Sequence, residues 1–170
     1  MLKPLVDGVV YVFVDAANIF YCQKTLGWRI SYKKLMDYLK EECDLGQCFV
    51  YTGVKKSHDR QENFLNKLKE CQYIVETKPL KRIFEKDRGT KLKANLDVEL
   101  AFDMDDLSIK YDTAVLLSGD SDFVYPIKRI KRKNKRVIVM STKGHIAREL
   151  LKEAKYIDLK KLKSKLILER

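Results

Sequence analysis

The sequence predicts a three-layer α/β/α, Rossmann-like domain on a mainly parallel central sheet. Three observations carry that expectation. Short β-branched and aromatic runs alternate with amphipathic stretches along the chain. The first run, residues 9–14, is apolar at every position, as a strand covered on both faces requires. Helix-length spacers between the runs imply right-handed crossovers between parallel strands.

After the first strand, Ser31 is placed to cap a helix in which Tyr32, Leu35, Met36 and Leu39 recur at i, i+3, i+4 and i+7. Residues 48–52 read as the second strand. A helix with Phe64, Leu65, Leu68 and Cys71 on its apolar face leads to the third strand at 73–77. Residues 79–94 carry no clear period. Leu96, Leu100, Met104 and Leu107 mark the next helix, 114–117 a short buried strand, and Phe123, Val124, Ile127 and Ile130 the inward face of the helix after it. Residues 137–140 form a fifth strand. A helix around 146–154, a short strand at 156–159 and a basic helix at about 160–170 complete the chain.

A length of 170 residues fits a single domain over 1–170. With 45% hydrophobic residues, three prolines and seven glycines, the composition excludes a disordered or low-complexity chain. Cys22, Cys43, Cys48 and Cys71 match neither a Cys-x-x-Cys site nor a dense disulfide framework, and read as reduced, mostly buried thiols. No apolar stretch approaches the roughly 20 residues that span a bilayer, and no secretory leader pattern is visible. We therefore expect a cytoplasmic protein with no membrane partner. Lys plus Arg number 35 against 24 Asp plus Glu, a net charge of +11 that calls for a polyanionic partner. The sequence leaves homodimer formation open.

In parallel sheets of this kind the working crevice lies beyond the carboxyl ends of the strands, and the sequence delivers acids there. Asp15 follows the first strand. Asp120 follows 114–117 by way of Ser118 and Gly119, with Asp122 two residues on. An Asp at a strand-to-helix junction often serves as an N-cap, and for Asp122 or Ser121 that reading stays open. Asn18 reads as the more natural cap after the first strand. Asp97 sits beside Leu96 and three residues from Leu100, near the sheet-facing side of its helix. Asp103 is turned about 240° from Asp97 and is not expected to share its site. Asp105 and Asp106 read as a solvated helix end, Glu99 as surface, and His58 and His145 as isolated surface or capping residues.

Clustered carboxylates repel one another unless a proton, a basic group or a cation compensates. Hard oxygen donors without a His or Cys set suit Mg²⁺ or Mn²⁺ rather than zinc. With such an ion, the natural chemistry is displacement at phosphorus. No nucleophile elbow, Gly-rich dinucleotide loop or Walker-type loop competes with this reading.

The segments VYVFVDAANIFY, KLKANLDVELAFDM and LLSGDSDFVYPIKRIKRKNKRVIVMS resemble the three signature blocks of the NYN domain, the PIN-like nuclease family that includes the LabA proteins. The resemblance runs from about residue 9 to 159. It implies a PIN-like α/β/α fold and a metal-dependent ribonuclease site using Mg²⁺ or Mn²⁺. By position, the family's strand-one Asp and loop Asn fall on Asp15 and Asn18. Its helix Asp falls on Asp97, with Lys93 and Asn95 before it, and its last block supplies Ser118, Asp120 and Asp122. Some members of the family act chiefly as regulatory or binding proteins.

Residues 128–136 hold seven basic side chains, and Lys128, Lys131, Arg132 and Lys135 recur at i, i+3, i+4 and i+7 as an outer helical stripe. Such stripes neutralise backbone phosphates without reading sequence. That helix runs away from the acidic edge, so Lys78, Arg88, Lys91, Lys93 and Asn95 are better placed to meet RNA near Asp97. The resulting expectation is an endoribonuclease acting on single-stranded or structured RNA, with Asp15, Asp97, Asp120 and Asp122 as catalytic metal ligands and Asn18 and Ser118 orienting them. The alternative is an RNA-binding or protein-docking regulatory module with little or no turnover. A phosphatase of the haloacid dehalogenase type fits poorly, because its Asp-x-Asp follows the first strand, where this chain has Asp15-Ala16-Ala17.

Overall fold

The computed structural model of the chain describes residues 1–55, 59–85 and 89–169. Among these, the elements in order are β1 (Val9–Asp15), α1 (Ala16–Leu26), α2 (Tyr32–Glu42), β2 (Asp44–Val54), α3 (Asp59–Glu70), β3 (Ile74–Pro79), β4 (Lys81–Glu85) and β5 (Gly89–Lys93). There follow α4 (Asp97–Asp106), β6 (Thr113–Leu117), α5 (Val124–Arg132), β7 (Arg136–Ser141), α6 (Arg148–Glu153), β8 (Lys155–Asp158) and α7 (Lys163–Leu166). The central sheet has six strands in the order β3-β2-β1-β6-β7-β8, and every neighbouring pair is parallel.

The unbroken apolar run of β1 is explained by its two covered faces. Side chains alternate across a strand, so Val10, Val12 and Val14 enter one core with Ile19, Leu35, Leu39 and Leu68 from α1, α2 and α3. Tyr11 and Phe13 enter the other with Leu100, Met104, Ile127, Ile130 and Leu150 from α4, α5 and α6. Phe13 is fully buried and stacks on Phe49, with centroids 5.4 Å apart and planes 6° from parallel. Each fully buried side chain of this size contributes about 1.5–3 kcal/mol. From β1 the chain steps outward through β2 and β3, returns by α4 to place β6 on the far side of β1, and continues outward to β8. The direction reverses between β1 and β6, which makes the mouth between them the switch point where ligands bind in open α/β sheets.

Ser31 caps α2 as expected, its hydroxyl accepting the Lys34 amide at 3.2 Å. Several expectations are corrected. The cap of α1 is Asp15, not Asn18: the Asp15 carboxylate accepts the Asn18 amide at 3.0 Å, so the helix begins directly at the strand end. In the segment left without a clear period, β4 and β5 pair antiparallel, outside the main sheet. The helix expected at about 160–170 is a 3-10 turn at Leu159–Leu162 followed by the four-residue α7. It ends there because Ile167 pairs with Ile30 and the Leu168 amide bonds to the Arg29 carbonyl. α5 stops at Arg132, with Asn134 in the left-handed region at φ 60°, so Lys135 lies beyond the helix and the four-residue stripe is broken.

Asp105 is also not a solvated helix end. Its side chain is only 18% exposed and pairs with Arg129 at 2.9 Å and Lys133 at 2.8 Å, tying α4 to the end of α5. Burial alone would raise its carboxyl, but the two cations outweigh that and hold it below the usual range. Asp105→Asn is expected to lower the free energy of unfolding by about 1–2 kcal/mol in urea titration, since charge-assisted bonds are involved but the cations are half exposed. An unchanged midpoint would refute the tie. Cys22 and Cys48 are buried, Cys43 and Cys71 half-buried, and all four are free thiols. Among the described residues no helix is long and apolar enough to cross a membrane.

Candidate functional site

Val14 pairs with Leu117 across β1 and β6, so the next residues, Asp15 and Ser118, emerge side by side at the switch point. The fully buried Ser118 hydroxyl donates to Asp15 Oδ2 at 3.0 Å and accepts the Asp120 amide at 3.3 Å. Asn18 Oδ1 accepts the Gly119 amide at 3.1 Å, and Asp120 Oδ1 accepts the Asp122 amide at 3.0 Å. One hydrogen-bonded chain thus runs from the start of α1 through the loop after β6. Asp97 arrives on α4, whose first turn is set by the Asn95 side chain accepting the Asp97 amide at 2.8 Å. Lys78 holds the same turn from β3, donating to the Asn95 carbonyl at 3.0 Å and pairing with Glu99.

Asp97, Asp120 and Asp122 each offer a carboxylate oxygen within 4.8 Å of the others. Opposite ligands of an octahedral ion at 2.0–2.1 Å lie about 4.2 Å apart, so small side-chain rotations fit these oxygens to one Mg²⁺ or Mn²⁺. Asp15 borders this group, with both oxygens hydrogen-bonded to Asn18 and Ser118. Burial raises the Asp15 carboxyl above its usual range against these two bonds, and the Asp120 charge adds to the rise. Burial also pushes Asp97 up to about 6, followed by the charges of Asp15, Asp120 and Asp122.

A raised carboxyl has the opposite linkage to a salt-bridged one. The folded state holds the Asp97 proton more tightly than the unfolded chain, so the contribution of this one carboxyl to the stability of the metal-free protein is lost as pH rises from about 4 to about 6. Divalent binding requires the ionised form. The rise in Tm given by Mn²⁺ is therefore expected to be small at pH 5 and full above pH 7; equal shifts at both would contradict the coupling.

A groove of about 1600 Å³ opens from Asp15, Asp97 and Asp120 and passes α1 toward α3, with Phe20, Tyr21, Arg29 and Lys67 among its lining residues. The basic stripe lies elsewhere and is compensated only in part, by two carboxylates for its four cations. Lys128 and Lys131 both pair with Glu153 at 3.4 Å, and Lys135 pairs with Asp112 at 3.4 Å. Arg132 is exposed on α5, without an acidic partner among the described residues. Arg88 and His58 lie outside the described residues; Lys91 and Lys93 fall in β5, with their side chains outside the description. Asp103 accepts the Tyr51 hydroxyl at 2.8 Å, apart from the three-acid group. His145 meets Thr25 at 2.5 Å.

The family model of the NYN domain matches residues 9–160, spanning all of these acids. The chain belongs to the NYN domain family. Over 158 residues this NYN domain is 37% identical to the low amplitude and bright protein LabA of Synechococcus elongatus, a match covering 90% of this chain and 84% of that one. It also shares its fold with a crystal structure of a Vibrio parahaemolyticus protein of unknown function, at a TM-score of 0.76 and 22% identity over 95% of this chain and 96% of that one.

Phe20 and Tyr21, which also line the groove, are not among the residues the sequence pattern marks for the site. The signal was present: Ile19 and Cys22, three apart, mark the buried face of α1, and the two aromatics between them must then face outward.

Proposed function

We propose that this NYN domain is a divalent-metal-dependent endoribonuclease. The convergence of Asp97, Asp120 and Asp122 within 4.8 Å at the sheet's switch point supports this reading most directly. These three residues would hold one Mg²⁺ or Mn²⁺, which when bound neutralises phosphate oxygens and lowers the pKa of water. Asp15, beside these three residues and with its proton affinity raised by burial, would orient the attacking water. Ser118 and Asn18 act as positioning residues. The first fixes Asp15 relative to the Asp120 backbone, and the second fixes the Gly119 amide.

The test is incubation of the purified protein with a single-stranded RNA in Mn²⁺, Mg²⁺ or EDTA, with the products sized on a gel. Internal cleavage in Mn²⁺ or Mg²⁺ and none in EDTA is expected. Undiminished cleavage in EDTA would remove the metal from the reading, and RNA bound but intact with both ions would favour a binding module instead.

A further inference from the structure

We propose that the groove along α1 is a track for one unpaired RNA strand, in which Phe20 and Tyr21 form a stacking platform for bases beside the acid cluster and Arg29 and Lys67 contact phosphates. The identity of the strand rests on the ribonuclease reading; the surface does not. Phe20 is 53% exposed and Tyr21 46%, although Ile19 and Cys22 of the same helix are buried. Their rings meet edge to face with centroids 5.7 Å apart, and Lys24 Nζ lies 4.8 Å from one centroid and 5.0 Å from the other. Two bulky rings outside both cores, capped by a cation, offer flat apolar faces and positive charge together. Sequence-tolerant single-strand binding uses that combination.

Position supports the same occupant. Phe20 and Tyr21 follow Asp15 by five and six residues on one helix, which places them about 7.5–9 Å from it along the axis. They line the groove that Asp15, Asp97 and Asp120 also line. Arg29 and Lys67 are exposed on its walls, and neither has an acidic partner among the described residues, whereas most cations of α5 and the turn after it are bound to Glu153, Asp105 or Asp112. Two cations without an acidic partner among the described residues therefore lie on the same groove as the rings. A ring stacks on a base only where the base face is free, and paired bases in a helix have both faces covered by their neighbours.

Fluorescence anisotropy in EDTA, with a labelled 12-nucleotide RNA as single strand and as duplex, tests the track. Phe20→Ala and Tyr21→Ala are each expected to weaken single-strand binding at least fivefold, roughly the lower bound for losing one stacked base, with duplex binding unchanged. Phe20→Leu and Tyr21→Leu, which keep apolar bulk without a flat face, should show the same loss. In the double variant Arg29→Ala, Lys67→Ala the slope of log affinity against log salt should flatten by about 1.4, two contacts at about 0.7 each. Wild-type affinity in the aromatic variants, full rescue by leucine, or equal losses for strand and duplex would overturn the track. Binding in EDTA does not depend on turnover. A strand that needs both rings but is never cut with Mn²⁺ or Mg²⁺ overturns the nuclease reading alone, and a strand bound and cut normally without the rings overturns the track alone.

Discussion

Asp97→Asn is expected to slow metal-dependent RNA cleavage on the order of 1,000-fold while raising the Tm of the metal-free protein at pH 7.5. Both effects follow from one placement. Three carboxylate oxygens within 4.8 Å repel one another when ionised, and at an effective dielectric of 20 a pair at that distance costs up to about 3.5 kcal/mol. Asp122 is exposed and Asp97 half-buried, so water reduces the cost. Removing one charge should therefore raise the Tm by about 2 °C, the shift that about 0.5–1 kcal/mol gives a domain of this size. The amide keeps the shape but not the charge, and a site that relies on several kcal/mol of charge stabilisation loses on the order of 1,000-fold in rate. Asp120→Asn should behave alike, because an amide oxygen can still accept the Asp122 amide now held by Asp120 Oδ1. Rates are read from single-turnover cleavage and stability from thermal melts. Retained cleavage, or a fall in Tm, would count against the cluster as the centre of the chemistry.

Gly119→Ala is expected to cost both stability and activity by moving the loop that carries Asp120 and Asp122. A Cβ at Gly119 would lie 1.8 Å from the His145 carbonyl oxygen and 2.7 Å from Ser141 Oγ. The obstructing atom is backbone. It belongs to a segment fixed by the Ala147 amide donating to the Gly119 carbonyl at 2.9 Å and by the His145 amide donating to the Thr142 carbonyl at 2.9 Å. One of the two loops must shift, at roughly 3 kcal/mol, the upper end of ordinary overpacking. A displacement near 1 Å at a reacting centre lowers rates about 100-fold. Urea unfolding and cleavage rates check the two halves, and a variant with wild-type stability would mean that the loop after β7 yields freely.

The strands were legible because burial on both faces leaves an apolar signature at every position, as in residues 9–14, and the acids because they end such runs. Asp15, Asp120 and Asp122 could be assigned to one edge from strand order alone. What escaped depends on partners distant in sequence or on surfaces without a core signature. The α5 stripe looks free in sequence, yet its partners Glu153 and Asp105 lie 22 to 28 positions away. The hairpin of β4 and β5 stands outside the sheet and pairs along its own length. Asp15 as the helix cap was missed because Asn18 suits a cap equally well on propensity, and only the strand's end position decides between them.

The hydrogen bond from Ser118 to Asp15 spans 103 positions, and this distance orders events during synthesis. β1, β2 and β3 adjoin one another and lie within the first 79 residues, so half of the sheet is available for pairing before β6 exists. That half carries Asp15 alone of the four acids. Distant parallel pairing is slow because loop closure precedes any contact that rewards it. The site is therefore assembled late: its acids come together only once β6 and the loop that follows it have been made.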